Sequence, residues 1–247
     1  MRKHLKIFKL IESIVDIITF TIFLVLFLIG GYAILDSKII DTEAEIKEEV
    51  LEIAPRKEDQ DFDFSELKAI NPEIIAWLQI DNTNINFPVL QTDNNSKYLV
   101  RDYQDEYSTS GAIFVDYRNN QLLDDFTIIY GHRMDGSKMF GELGNFSEKS
   151  FFDNHTTGIL YTEDATYDLQ TISYLTLNIG TTTLYRLNNN RIGHNDEILQ
   201  EALASAIVKR DNSNDSQKLI MLSTCNKDSK NYRDILLLSA TKRNKKH

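Results

Sequence analysis

Three side chains in this 247-residue sequence could together break and remake an acyl bond: Cys225, His132 and Arg233. A thiolate is a strong nucleophile, an imidazole passes protons near neutral pH, and a guanidinium offers fixed donors to a developing oxyanion. Cys225 is the sole cysteine and closes the apolar run that begins at Lys218. A cysteine serving as a small core hydrophobe usually sits inside such a run. This one follows Ser223 and Thr224 and precedes the polar stretch Asn226 to Asn231, which places it at a strand end. His132 likewise ends the run Phe126 to Gly131, whereas His155 and His194 fall in polar segments and His4 and His247 lie near the two ends. Arg233 opens the last apolar run, across the polar stretch from Cys225. Singly, each has an ordinary structural role: a buried thiol, a lone imidazole, an arginine at a strand start. Three strand-end positions of complementary chemistry point instead to thiol-based acyl transfer.

Composition narrows the alternatives. A chain with 42% hydrophobic residues, ten Gly and three Pro is an ordinary globular one with appendages. One cysteine allows neither an internal disulfide nor a cysteine-rich zinc site, and HExxH, GxGxxG and GxxxxGK[ST] patterns are missing, so no metal or cofactor is expected. The formal charge of −10 argues against nucleic acid as the main partner. The terminal Lys242, Arg243, Lys245 and Lys246 read as a solvated basic tail over 242–247.

The elements that must position the three side chains are mostly short strands. Runs at Ile85–Leu90, Gly111–Val115, Phe126–Tyr130, Gly158–Tyr161, Thr166–Leu177, Thr182–Leu187, Leu219–Thr224 and Ile235–Ser239 predict a mainly β fold, a closed or nearly closed barrel with helical additions. Helices are expected at Ser65, which is placed to cap a helix through Leu67 and Ile70, and in a further turn opened by Pro72 toward Trp77. Others are expected at Ser137–Leu143, Ser147–Phe152 and Asn195–Lys209, the last with Ile198, Leu199, Ala202, Leu203, Ala206 and Ile207 on one face and Asn195 or Asp196 as cap.

Ahead of the barrel the chain is basic over 1–16, then uncharged from Ile17 to Leu35, long enough to cross a bilayer and longer than the apolar core of a cleaved signal. Arg2, Lys3, Lys6 and Lys9 before this span put the N-terminus in the cytoplasm and the rest outside. Residues 36–64, with eleven acidic against four basic side chains, read as a charged stalk lifting a globular domain of residues 65–241 off the membrane.

Thr127 to Arg133 (TIIYGHR), Met139 to Leu143 (MFGEL), Leu222 to Cys225 (LSTC) and the Arg-led terminal run together resemble a sortase. Helices before the barrel and the long helix before the cysteine strand resemble class B specifically. The resemblance covers about residues 65 to 241. It implies an eight-stranded barrel and a membrane-anchored cysteine transpeptidase on the outer face of a Gram-positive cell. Such an enzyme cleaves the C-terminal sorting signal of surface proteins and transfers them to an amine of a peptidoglycan precursor, or of a pilin. By the same resemblance Cys225 is the nucleophile, His132 protonates the leaving amine, and Arg233 holds the substrate or oxyanion. Asn95, Leu99, Ser223 and Tyr185 resemble positions that line the substrate groove. Around the cysteine the family often has Leu or an acidic residue where this chain has Met221 and Asn226. Two other classes fit the residues alone, a cysteine protease that releases its acyl group to water and a membrane-tethered binding barrel without turnover.

Overall fold

The computed structural model describes residues 2–59, 61–120, 122, 124–185, 187, 195–210, 218–227, 229 and 231–244. Two compact units result, one ending at Thr42 and one starting at Glu43. The first is a single helix, α1 (Arg2–Glu43). Its stretch Ile11–Leu35 has a mean hydropathy of 2.5 and is long and apolar enough to cross a membrane. That stretch begins before Ile17 and takes in Glu12 and Asp16.

The second unit is a barrel with small helices: α2 (Glu48–Glu52), α3 (Ser65–Ile70), α4 (Lys149–Asn154) and α5 (Asn195–Ala204). Its strands are β1 (Ile74–Ile80), β2 (Asn86–Leu90), β3 (Ile113–Val115), β4 (Phe126–Tyr130), β5 (Thr157–Thr162), β6 (Thr166–Asn178), β7 (Val208–Lys209), β8 (Lys218–Cys225) and β9 (Tyr232–Lys242). They hydrogen-bond in the order β5-β1-β2-β3-β4-β8-β9-β6, and β5 pairs back onto β6. The expected eight-stranded barrel is thereby closed, with the two-residue β7 added outside β6.

Period-two alternation explains why β8 and β9 are apolar almost throughout. Ile220, Leu222, Leu236 and Leu238 point into the barrel core beside Ala76, Val89 and Leu160. Leu219, Met221, Ile235 and Leu237 point outward, where Ile198, Leu199 and Ala202 of α5 cover them. A third cluster lies under α2 and α3, with Val50 and Leu67 packed against Trp77, Phe114 and Tyr161.

Several local expectations change. Residues 182–185 are no strand: Glu201 of α5 accepts hydrogen bonds from the Thr182 hydroxyl and from the Thr183 backbone N–H, a donor a ladder would need, and Arg186 lies outside the described residues. A strand appears instead at β1, where a helical turn toward Trp77 is expected from Pro72. Its side chains alternate between the interior and the α2/α3 cluster, and the Trp77 indole donates to Asn86 at 2.6 Å. The helix begun at Asn195 stops at Ala204 rather than Lys209, because Val208 and Lys209 pair with Tyr174 and Ser173 of β6; Ile207 is left 58% exposed. The side chain of Asn195 and residues 188–194 lie outside what is described. At α3 the capping acceptor is the Asp63 carboxylate, bonded to the backbone and hydroxyl of Ser65. The 3-10 segments Asp135–Ser137 and Gly141–Ser147 flank and overlap the helix expected at Ser137–Leu143, and α4 begins two residues after the start expected at Ser147.

The acidic spacer is shorter than its composition implies. Ala44, Val50 and Phe64 are buried in the barrel unit, with Ile46 and Ile53 packed beside them, so from Ala44 onward the chain lies on the barrel. At the other end β9 continues to Lys242, and Arg243 pairs with Asp168 at 2.7 Å instead of trailing into solvent.

Candidate active site

Strand direction brings Cys225, His132 and Arg233 together. β4 and β8 are parallel neighbours in register at Tyr130 and Ser223, and the Gly131 amide donates to the Ser223 carbonyl at 3.2 Å. Two positions past that pair, on the same edge of the sheet, stand His132 and Cys225. β9 runs antiparallel to β8 and starts from that edge, which pairs Arg233 with Cys225. All three line one cleft of about 200 Å³, together with Asn95, Leu99 and Ser223. Cys225 is exposed there. Tyr185 lies beside the cleft, its hydroxyl 2.6 Å from that of Ser223. Every site residue expected from sequence is therefore at or next to one concavity.

The imidazole is held from two sides. Nε2 of His132 lies 2.8 Å from the Leu99 carbonyl, which can only accept, so this nitrogen carries a hydrogen and Nδ1 is left for proton exchange in the neutral ring. Gly111, at φ +63°, backs the ring: a Cβ there would stand 2.8 Å from His132 Cδ2 and 2.5 Å from the Tyr98 carbonyl.

One wall of the cleft is built on Asp116, which is fully buried. Its carboxylate accepts from Arg118 at 2.8 and 2.7 Å, from the Tyr130 hydroxyl at 2.8 Å and from the Asn95 amide at 3.0 Å. Burial alone would raise its pKa, but the Arg118 hydrogen bonds and charge outweigh that and hold it below the usual carboxyl value. The neighbouring phenols move the other way. Burial, then the Asp116 charge, raises Tyr130, and burial pushes Tyr185 up to about 12, so both stay protonated donors. Their rings stack at 6.4 Å with 10° between planes, which links Asp116 through Tyr130 and Tyr185 to Ser223.

Beneath Cys225, His132 and Arg233 lies a second carboxylate, Asp234, 1% exposed. It accepts from Asn226 at 2.7 Å, Thr176 at 3.1 Å and Arg133 at 3.3 Å. Neither aspartate nor Tyr130 is picked out by sequence reasoning. The available signal is an Asp at the head of a strand that is otherwise apolar, since Asp is depleted in strands. Among the described residues no three His, Cys, Asp or Glu side chains gather as a metal ion would need.

Comparison with known proteins agrees with this fold. The family model for the Sortase domain matches residues 78–242. Sortase B of Listeria monocytogenes serovar 1/2a is 42% identical over 93 residues, 37% of this chain and 38% of that protein. Sortase B of Staphylococcus aureus is 29% identical over 210 residues, 81% of this chain and 85% of that protein. The X-ray structure of Clostridium perfringens sortase B matches with a TM-score of 0.67 at 29% identity, over 72% of this chain and 100% of that one. The chain belongs to the sortase family, whose members are cysteine transpeptidases. Its relatives in sequence and in structure are of class B.

Proposed function

We propose that this chain cleaves the C-terminal sorting signal of a surface protein and transfers the acyl fragment to an amine of a cell-wall precursor or pilin. Cys225 is the nucleophile, His132 the proton carrier and Arg233 the donor to the oxyanion. The observation behind this is the meeting of those three side chains in one cleft at the β4–β8–β9 edge. The Cys225 thiolate attacks the scissile carbonyl, and the oxyanion that forms is met by Arg233. Collapse expels the amine, which takes a proton from His132 and leaves a thioester on Sγ. An incoming amine attacks the thioester and gives its proton to His132, and the thiolate departs. Asn95, Leu99, Ser223 and Tyr185 form the wall against which the donor peptide lies. The reaction calls for no cofactor or metal.

Transpeptidase and hydrolase share every step up to the thioester, so only the acceptor separates them. An amine held at the site gains from effective concentration over water. With the full chain in detergent, a panel of NP-type and PxTG-type peptides and rising oligoglycine or diamino-acid peptide, the ratio of amide to free acid by mass spectrometry should climb. A well-cleaved peptide that gives only free acid throughout would make the chain a membrane-anchored cysteine protease.

The same proposal extends to placement in the cell. The basic residues ahead of the apolar stretch are cytoplasmic, α1 crosses the membrane through that stretch, and the barrel stands outside, in line with the charge of Arg2, Lys3, Lys6 and Lys9. Protease added to wall-stripped cells should digest the barrel unit, and its full protection would reverse the orientation.

A further inference from the structure

We infer that Asp234 is a positioning residue for acyl transfer, its carboxylate tying together the residues that directly follow His132, Cys225 and Arg233. This rests on the assignment of those three as the reacting groups. Each is followed in sequence by a polar partner in a second set: Arg133 after His132, Asn226 after Cys225, and Asp234 after Arg233. Side chains alternate along a strand, so where the first set lines the cleft the second faces away from it. Asp234 shares the β9 face of Leu236 and Leu238, which belong to the barrel core. It sits at the mouth of the barrel.

There it gathers donors from three elements. Asn226 Nδ2, just past β8, and Thr176 Oγ1 on β6 donate to Oδ1 at 2.7 and 3.1 Å; Arg133 Nη1, just past β4, reaches Oδ2 at 3.3 Å. Thr176 and Thr224 flank Asp234 as its register partners on β6 and β8. The 3-10 segment Gly141–Ser147 approaches this ion pair. A Cβ on Gly144 would stand 3.1 Å from Arg133 Nη1 and 3.6 Å from Asp234 Oδ2, so the glycine leaves the pair its room. A hydrophobic side chain at this mouth could stabilise the barrel equally well. The carboxylate adds direction: it fixes the chain segments that carry the imidazole, the thiol and the guanidinium to one point. Its hydrogen bonds go to Asn226, Thr176 and Arg133 and not to Asn95, Leu99, Ser223 or Tyr185, so its loss is felt in kcat and hardly in KM.

The test uses the full chain in detergent and a cleaved peptide, with kcat, KM and melting temperature measured for Asp234→Asn, Arg133→Gln, the double variant and Cys225→Ala. Misplacement of reacting groups by about 1 Å costs on the order of 10²-fold. Folded Asp234→Asn should therefore lose roughly 30- to 100-fold in kcat with KM changed less than about threefold. Arg133→Gln should behave alike, and the double variant should be no worse than the poorer single, because both act through one pair. The inference is overturned if folded Asp234→Asn keeps kcat within about threefold, or if its kcat falls only in step with the folded fraction. Should Asp234→Asn not fold, Arg133→Gln and Asn226→Ala keep the carboxylate and are judged by the same split between kcat and KM. A Cys225→Ala variant that still turns over would defeat the assignment of the site itself, a separate failure.

Discussion

Asp116 and Asp234, the two carboxylates buried on either side of the cleft, recruit the same three kinds of donor: an arginine, an asparagine amide and a hydroxyl. Their wiring differs. Arg118 lies two residues from Asp116 and forks onto both its oxygens, so that pair forms within one turn of chain. Arg133 reaches Asp234 from 101 residues away with a single contact. The local pair stiffens a wall carrying Asn95 and Tyr130, while the distant one brings the ends of three strands into register. Loss of the first should be felt in substrate binding and loss of the second in turnover.

The contrast has meaning only if the β4–β8–β9 edge is where bonds change, and the largest expected effect tests that. Cys225→Ala should abolish detectable turnover with little change in melting temperature. The side chain is exposed, so its removal should cost well below the roughly 2–5 kcal/mol of a core truncation. A loss of that larger size would mark Cys225 as a packing residue. Next comes Arg233→Lys, which keeps the charge and loses the planar fork. A fall of about 10²–10³ in kcat/KM is expected from losing directed oxyanion donors. Near-parental activity would reduce Arg233 to a nearby charge.

On the opposite wall the effects should be smaller and of another kind. Asp116→Asn should raise the peptide KM by about tenfold, hold kcat within about threefold and lower stability by about 1–3 kcal/mol, since a buried network loses its acceptor charge. If kcat fell while KM held, the contrast between the two carboxylates would collapse. The same variant should alter acid stability. Because the Asp116 pKa is depressed in the folded protein, its stabilisation is complete above the ordinary value of 3.8 and is lost as pH falls through the lower folded value. Urea melts from pH 5 to 2 should therefore show a shallower acid decline for Asp116→Asn than for the parent. Tyr185→Phe is the mildest change. It removes the hydrogen bond to Ser223 and keeps the stack on Tyr130, so a change in KM of a few-fold, about 1 kcal/mol or less, is expected.

The meeting of Cys225, His132 and Arg233 is legible in sequence because strand ends are local: an apolar run stops, and the residue after it stands at a rim. The barrel is legible for the same reason, although β1 is a strand where a helical turn is expected and residues 182–185 are not the strand expected there. Trp77 and its neighbours gain strand partners only from β2 and β5, and the threonines at 182 and 183 find a carboxylate on a helix, Glu201; neither outcome is written in the segment itself. The two aspartates are hidden for a deeper reason. In sequence Asp234 is one of many acidic residues beside a polar stretch, and the arginine that gives it meaning belongs to a segment 101 positions earlier. The packing of Ala44 and Val50 on the barrel is likewise invisible in a stretch whose composition reads as spacer.

Alternation along β8 and β9 also limits how this chain can change length. One residue inserted or deleted between Leu219 and Cys225 would shift the pleat by half its repeat, turning the thiol toward the barrel mouth and leaving the wrong side chain in the cleft. The same holds for β9 between Arg233 and Leu237. Length changes between Asn226 and Asn231 carry no such parity, so insertions accepted over evolutionary time should accumulate in that connection and stop at the strands on either side.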